Sequence, residues 1–256
     1  MTGLTLELGG QIALVTGASR LNGIGAAVAR AFAAAGADIA FTHWTSYDVA
    51  SYGSATTEPE QLAAELREMG VRVLAMEVDL SDPAAPAQLF DDVQRHLGEV
   101  SILVNNAAVS YHDNAGTITA NSIDQHYAVN VRGTALLTAE FARRCSGEGG
   151  RVINMTSGQS VGPMPEELSY ATTKGAIEAL TVSSAPTLAR QGITINAVDP
   201  GGTDTGWMSD DLKQAITAEM AFGRVGQPED AARLILFLSS DAGKWITGQI
   251  IHSRGA

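Results

Sequence analysis

The sequence predicts an α/β fold, a doubly wound parallel sheet with helices on both faces, in a single domain covering residues 1–256. Three observations carry that expectation. Short apolar runs alternate along the chain with helix-length segments, the order that builds a parallel sheet covered on both sides. The 256 residues, 45% of them hydrophobic, suffice to bury a full core, and no repeat, low-complexity tract or linker divides them. A glycine-rich stretch, residues 16–25, falls between the first strand-like run and the first helix-like one.

The elements follow in order. Residues 11–15 are an apolar run ending at Thr16-Gly17, and residues 26–35 an alanine-rich helix stopped by Gly36. Residues 38–42 read as a strand, 60–69 as a helix, 71–78 as a strand and 86–97 as a helix. Residues 102–104 form a short buried strand, 122–144 contain a long helix, and 151–155 are another strand. Residues 169–190 read helical, with Pro186 expected to kink the helix or break its hydrogen bonding. Residues 193–198 are β-rich and 230–239 helical. Two stretches interrupt the rhythm and are expected to be long loops. One is 43–59, with Trp44, Tyr47 and Tyr52; the other is 200–226, with Trp207 and Met208. Both follow strands, where open α/β sheets bind their ligands.

Composition excludes several functions. Twenty-eight acidic against 16 basic residues leave a net charge of -12, which argues against a nucleic-acid partner, because phosphate backbones are held by clustered Lys and Arg. No apolar run approaches a membrane span, and no basic-apolar leader opens the chain, so a cytoplasmic protein is expected. A lone cysteine, Cys145, excludes an internal disulfide and a cysteine-built zinc site, and no ligand spacing indicates another metal.

Two constellations bear chemistry. In the glycine stretch, Gly17, Gly23 and Gly25 allow a tight turn and close approach of a pyrophosphate, whose charge meets a helix N-terminus. Taken alone, the same stretch also reads as a ligand-free turn. Tyr170 and Lys174, four apart on a helix, share one face. An ammonium beside a phenol lowers the phenol's pKa and suits it to proton transfer, although most such pairs are ordinary surface neighbours. Ser157 lies just beyond the strand 151–155, where a ligand site is expected.

Together these residues resemble the short-chain dehydrogenase/reductase family over nearly the whole chain. Its Thr-Gly-x3-Gly-x-Gly loop is present with two extra residues. Its Asn-Asn-Ala-Gly segment is present as Asn105-Asn106-Ala107-Ala108, and its helix asparagine as Asn130. Ser157, Tyr170 and Lys174 match its catalytic trio, Pro200-Gly201 with Thr203 and Thr205 its strand-end motif, and Ile246-Thr247-Gly248-Gln249 its near-terminal one. The resemblance implies a Rossmann-like fold and hydride transfer between a nicotinamide and a carbonyl/alcohol pair. Tyr170 would exchange a proton with the carbonyl oxygen, Ser157 would position that oxygen, Lys174 would bond the nicotinamide ribose and hold the phenol's pKa down, and Asn130 would support a water joining Lys174 to solvent. The cofactor would rest on Gly17, Ser19, Arg20, Gly23, Ile24 and Gly25, on Thr42 and His43, and on Asp79 and Leu80. Asn106, Ala107, Tyr170, Lys174, Pro200, Gly201, Thr203 and Thr205 complete that set.

NADP(H) is expected over NAD(H). The position that carries Asp or Glu in many NAD enzymes is His43, and Arg20 stands where related enzymes hold a 2′-phosphate with a basic residue. Asp38 comes too early in its strand and reads as a surface residue. Asp79 resembles the residue that bonds the adenine amino group, or else is a helix cap before Pro83.

The substrate is expected to be a small carbonyl or alcohol, or a 3-oxoacyl thioester as in the 3-oxoacyl-[acyl-carrier-protein] reductases that the pattern resembles. Met164, Trp207, Met208 and Phe222 line an apolar pocket or pack core and lid; His112 and His126 lie near the site without an assigned role. Glu148 would repel an acidic carrier protein, whereas Arg143, Arg144 and Arg190 would attract one. A dinucleotide-binding regulator without turnover is the reading from another class, and such relatives tend to lose the tyrosine or lysine. An enoyl reductase also carries a lengthened glycine loop but spaces its tyrosine and lysine more widely. The family usually forms dimers or tetramers through the long helices after the fourth and fifth strands, so a homo-oligomer, such as a homotetramer, is implied. The ending, His252-Ser253-Arg254-Gly255-Ala256, departs from the family's usual Val-Asp-Gly-Gly.

Overall fold

In the computed structural model, which describes residues 6–53, 57–146 and 149–255, one sheet of seven parallel strands organises the chain. β1 (Ile12–Val15) leads through the glycine stretch into α1 (Ile24–Ala34), followed by β2 (Asp38–His43), α2 (Thr45–Tyr52), α3 (Glu58–Glu68) and β3 (Val73–Glu77). α4 (Ala85–His96), β4 (Ile102–Asn105), α5 (Ala120–His126), α6 (Thr134–Arg144) and β5 (Arg151–Met155) form the middle. α7 (Leu168–Ala189), β6 (Thr194–Asp199), α8 (Asp210–Glu219), α9 (Pro228–Ser239) and β7 (Ile250–His252) complete it. The strand order is β3-β2-β1-β4-β5-β6-β7. The order reverses direction between β1 and β4, and a crevice opens there beyond the carboxyl ends of the strands.

Alternation along the strands feeds two cores. On one face Val15, Phe41, Val104 and Ile153 pack with Phe32 of α1 and with Ile235 and Leu238 of α9. On the other, Leu14, Leu103, Val152 and Ile195 pack with Phe90 of α4, Phe141 of α6 and Leu188 of α7. Burying a large aliphatic or aromatic side chain contributes about 1.5–3 kcal/mol, so these two layers fix the strand ends on which the site stands.

Two sequence expectations need correction. Residues 45–52 are a helix, not a loop: α2 lacks an apolar stripe and a side-chain cap, and locally only Gly53, left-handed at its C-cap, marks it. The stretch 200–226 contains α8, announced by Ser209, whose hydroxyl accepts the Leu212 amide at 3.3 Å, and by Asp210 and Asp211 in the first turn. The long helix expected within 122–144 is present as α5 and α6, joined by a π-helical segment, Tyr127–Gly133. The helix expected over 169–190 is α7, which runs three residues beyond Pro186 to Ala189. β7 was not anticipated at all. Asp38 is the surface residue expected, paired with Arg72 at 2.6 Å. Among the described residues, no helix is long and apolar enough to cross a membrane.

Candidate active site

The glycine stretch is stitched to the segment after β4. The Thr16 hydroxyl accepts the amides of Asn106 and Ala107, each at 3.1 Å, and Asn106 Nδ2 donates to the carbonyls of Thr16 at 3.0 Å and Gly17 at 2.8 Å. Gly17 has φ of 70°, and a Cβ on it would stand 2.6 Å from Ala107 Cα. A Cβ on Gly25 would stand 2.6 Å from the Gly17 carbonyl oxygen. Only glycine fits either place. Thr42 braces the same turn from β2, its hydroxyl accepting the Gly17 amide at 3.2 Å and its carbonyl the Ala18 amide at 2.8 Å. Gly23, extended at the N-cap of α1, supplies no side-chain cap. The α1 amides therefore face a cleft of about 240 Å³, the setting that suits a pyrophosphate.

That cleft gathers most of the residues expected to hold a dinucleotide. Ser19, Arg20, Gly23, Ile24, Thr42 and His43 line it from one side; Asp79, Leu80, Asn106, Ala107, Tyr170 and Thr205 line it from the other. Gly25 and Lys174 are not among its lining residues. Arg20 is already engaged: Nη1 donates to the Thr205 carbonyl at 2.7 Å, and its guanidinium lies 3.8 Å from the Tyr52 ring centroid. Asp79 is not a helix cap, since Ala84 is the N-cap of α4; it accepts the Ser81 amide at 2.8 Å within a turn and lines the cleft.

A second cavity, about 1410 Å³, adjoins the first and holds Ser157 and Tyr170 together with Pro200, Gly201, Thr203 and Thr205. β5 delivers Ser157 and α7 delivers Tyr170 and Lys174. Lys174 is 4% exposed; its Nζ donates to the Met155 carbonyl at 2.8 Å and lies 5.3 Å from the Tyr170 ring centroid. Burial pushes the ammonium down to about 8. Burial also raises the Tyr170 phenol above its ordinary value, against a smaller lowering by the Ser157 hydroxyl. Here the sequence expectation of a lowered phenol pKa fails, because desolvation outweighs the neighbouring groups and Glu167 and Asp199 add negative potential. Burial thus favours the neutral, protonated form of the phenol.

Asn130, on the π segment, accepts the Val109 amide at 2.8 Å and donates to the Val109 carbonyl at 2.9 Å and the Thr173 hydroxyl at 3.1 Å. It braces the segment after β4 against the residue preceding Lys174. Of the apolar candidates, Met164 and Trp207 line the large cavity and Phe222 is 78% exposed. Met208 is not among the lining residues. His112 lines the cavity; His126 is fully buried, accepting the Tyr111 amide at 3.1 Å. Arg143 and Arg144 are paired with Glu140, and Glu148 lies outside the described residues.

Sequence reasoning missed three cavity residues. Tyr47 and Asp48 sit on α2; their only signal was the aromatic character of the interrupted stretch. Tyr47 lines both cavities, and its hydroxyl accepts the Ser110 amide at 3.0 Å. The Asp48 carboxyl, raised by burial, is opposed by a Ser19 hydrogen bond and by the charges of Arg20 and His43. The third is Arg254, in the unusual ending. Asp199, 1% exposed, accepts from Arg254 Nη1 and from His252 Nδ1, each at 2.9 Å, and from the Gly201 amide at 2.9 Å.

Comparison with known proteins agrees with this arrangement. A family model described as "Enoyl-(Acyl carrier protein) reductase" matches residues 17–255. The chain is 50% identical over 248 residues to "Uncharacterized oxidoreductase YjdA" of Bacillus subtilis, covering 96% of each. It is 34% identical to "NADPH-dependent aldehyde reductase 2, chloroplastic" of Arabidopsis thaliana, covering 98% of this chain and 94% of that protein. Among solved structures, a short-chain dehydrogenase from Burkholderia cenocepacia in complex with NADP superposes with a TM-score of 0.87 at 34% identity, covering 98% of both chains.

Proposed function

The chain belongs to the short-chain dehydrogenase/reductase family, and on that premise we propose that it is an NADP(H)-dependent oxidoreductase moving a hydride between the nicotinamide and a ketone or secondary alcohol, either a small ketone or a 3-oxoacyl thioester. One observation carries the reading: the Tyr170 phenol and the Ser157 hydroxyl share a cavity that adjoins the glycine-lined cleft.

The cleft fits a dinucleotide. Gly17 and Gly25 leave no room for a side chain where backbone must pass, and the uncapped α1 N-terminus suits a diphosphate. The bound nicotinamide supplies or accepts the hydride. Tyr170 Oη gives its proton to the carbonyl oxygen in reduction and takes it back in oxidation, while the Ser157 hydroxyl bonds and positions that oxygen. Lys174, charged below about pH 8, bonds the ribose and stabilises negative charge on the phenol oxygen as it forms. Asn130 holds the frame beside it and supports a water leading from Lys174 to solvent.

The absence of a carboxylate at the end of β2 and the presence of Arg20 in the cleft support NADP(H), as do the NADPH- and NADP-linked names of the relatives. Asp48 favours a second reading, NAD(H), because it brings a carboxylate near Ser19, Arg20 and His43 from a different element. We propose further that the protein is a homo-oligomer, a dimer or tetramer packed through α6 and α7; Val182 on α7, 50% exposed, supports that face.

The test is NADPH and NADH consumption against a panel of ketones and acyl thioesters, with Tyr170→Phe as control. Removal of a general acid lowers kcat by about 10²–10⁴-fold, and the variant is expected to fall by that much while still binding the cofactor. Tight NADPH binding without turnover favours the regulator. Consumption with enoyl thioesters alone favours an enoyl reductase.

A further inference from the structure

Arg254 places a guanidinium against the residue next to Ser157. A Cβ built on Gly158 would collide with Arg254 Nη1 and come within 3.2 Å of Nη2, and one on Gly201 would stand 2.9 Å from Arg254 Cα. Two glycines thus leave the room that this side chain and its backbone fill. The ending is held in place as well: β7 pairs with β6 through Asp199↔His252, and the Ser253 amide donates to the Asp199 carbonyl at 2.8 Å.

One guanidinium nitrogen, Nη1, is committed to Asp199 at 2.9 Å; Nε and Nη2 have no protein partner among the described residues. The side chain is 33% exposed and lines the cavity that holds Ser157 and Tyr170. Among the described residues it is the only Lys or Arg on that lining. A guanidinium carries five N–H donors in a planar fork, so donors remain for a ligand.

The charge balance decides which ligand. Asp199 is buried and neutralises Arg254, and the lining also carries Glu167 and Asp79. Glu167 and Asp199 both act on Tyr170 as negative charges. A substrate carboxylate would add another negative charge to this group without a free cation to meet it. A neutral oxygen needs only the donors. We propose that Arg254 is a specificity-determining residue whose free donors bind a second, uncharged oxygen of the substrate, so that the preferred substrates are neutral carbonyl compounds with another carbonyl or hydroxyl close to the reacting one. This rests on the reading of Ser157 and Tyr170 as the carbonyl-reducing pair.

The test compares three probes of similar shape: 1-phenyl-1,2-propanedione, propiophenone and phenylpyruvate. For each, kcat/KM is measured by NADPH consumption in the parent protein, Arg254→Met, Arg254→Lys and Tyr170→Phe. Loss of a hydrogen bond to a charged donor costs about 10–100-fold in kcat/KM. Arg254→Met is expected to lose that much on the diketone, at least tenfold more than on the monoketone, with the change largely in KM. Arg254→Lys, a point charge without the fork, is expected to fall between. Equal losses on diketone and monoketone, or a parent preference for the oxo acid that Arg254→Met abolishes, would overturn the proposal. If Arg254→Met fails to fold, the same ratio is read from Arg254→Lys. No turnover of any ketone, or turnover surviving in Tyr170→Phe, sinks the carbonyl-reduction reading itself. Tyr170-dependent turnover with an indifferent Arg254 sinks only the present inference.

Discussion

The Asp113 carboxylate holds the start of the helix that carries Tyr170 and Lys174: it accepts the Ser169 amide at 2.9 Å and, through its other oxygen, the Ser169 hydroxyl. α7 has no side-chain cap of its own at Glu167, so Asp113, 56 positions before Ser169, does that work. The Ser122 hydroxyl donates to the same carboxylate at 3.0 Å, tying α5 to the arrangement.

Replacing Asp113 with Ala leaves the α7 amide and two hydroxyls without this acceptor, in a place where the carboxylate is 4% exposed. We expect a loss of about 1–3 kcal/mol in urea unfolding, with a fall in kcat as Tyr170 loses its fixed position. Burial pulls the carboxyl upward, but the bonds from Ser169 and Ser122 outweigh it and leave the group below its ordinary value. The unfolded chain therefore binds the proton more readily. The stabilisation stands in full above the ordinary carboxylate range and is lost as pH falls through the native value. Asp113→Asn should flatten the acid limb of stability against pH; an unchanged limb would refute this.

Lys174 sets an upper pH limit on turnover. Its native pKa of about 8 lies below the ordinary 10.5, so kcat/KM for reduction should decline above about pH 8 as the ammonium is lost. Between those two values the native state binds fewer protons than the unfolded one, so this residue's contribution to stability improves with rising pH. The decline is thus separable from unfolding: melting temperature and kcat/KM, measured across pH 6.5–10 on the same samples, should not fall together at about pH 8 on account of this group. Lys174→Arg, charged throughout, should remove the limb whatever its effect on the plateau.

On the NADP(H) reading, the Asp48 carboxylate lining the cleft would oppose the 2′-phosphate. Exchange for Asn keeps the shape and removes the charge, and it should shift the ratio of kcat/KM for NADPH over NADH upward by at least roughly tenfold, the scale of a like-charge contact near a protein surface. The ratio is read with a single ketone at two salt concentrations; an unchanged ratio would place the carboxylate away from the ribose.

The sheet and the candidate site residues were legible because their signals are local. Strand runs such as 102–104 are apolar throughout, and Tyr170 and Lys174 are spaced to share a helix face. α2 was not legible, since Thr-Ser-Tyr-Asp-Val-Ala-Ser-Tyr carries no apolar stripe and its side chains meet the cleft instead of the core. Arg254 gave no signal beyond an odd ending, because its place depends on β7 returning beside β6. The direction of the Tyr170 shift depends on burial, which spacing does not encode.

Tyr47 stands in the wall of both cavities, its hydroxyl accepting the Ser110 amide at 3.0 Å and its ring edge-on to Tyr52 and Tyr111. Two occupants that press on one side chain are energetically linked, and linkage between equilibrium affinities is reciprocal. Whatever factor a dinucleotide in the cleft imposes on binding in the second cavity, a ligand there imposes on dinucleotide binding in return. The extra helix after β2 makes the two chambers communicating rooms with one shared door.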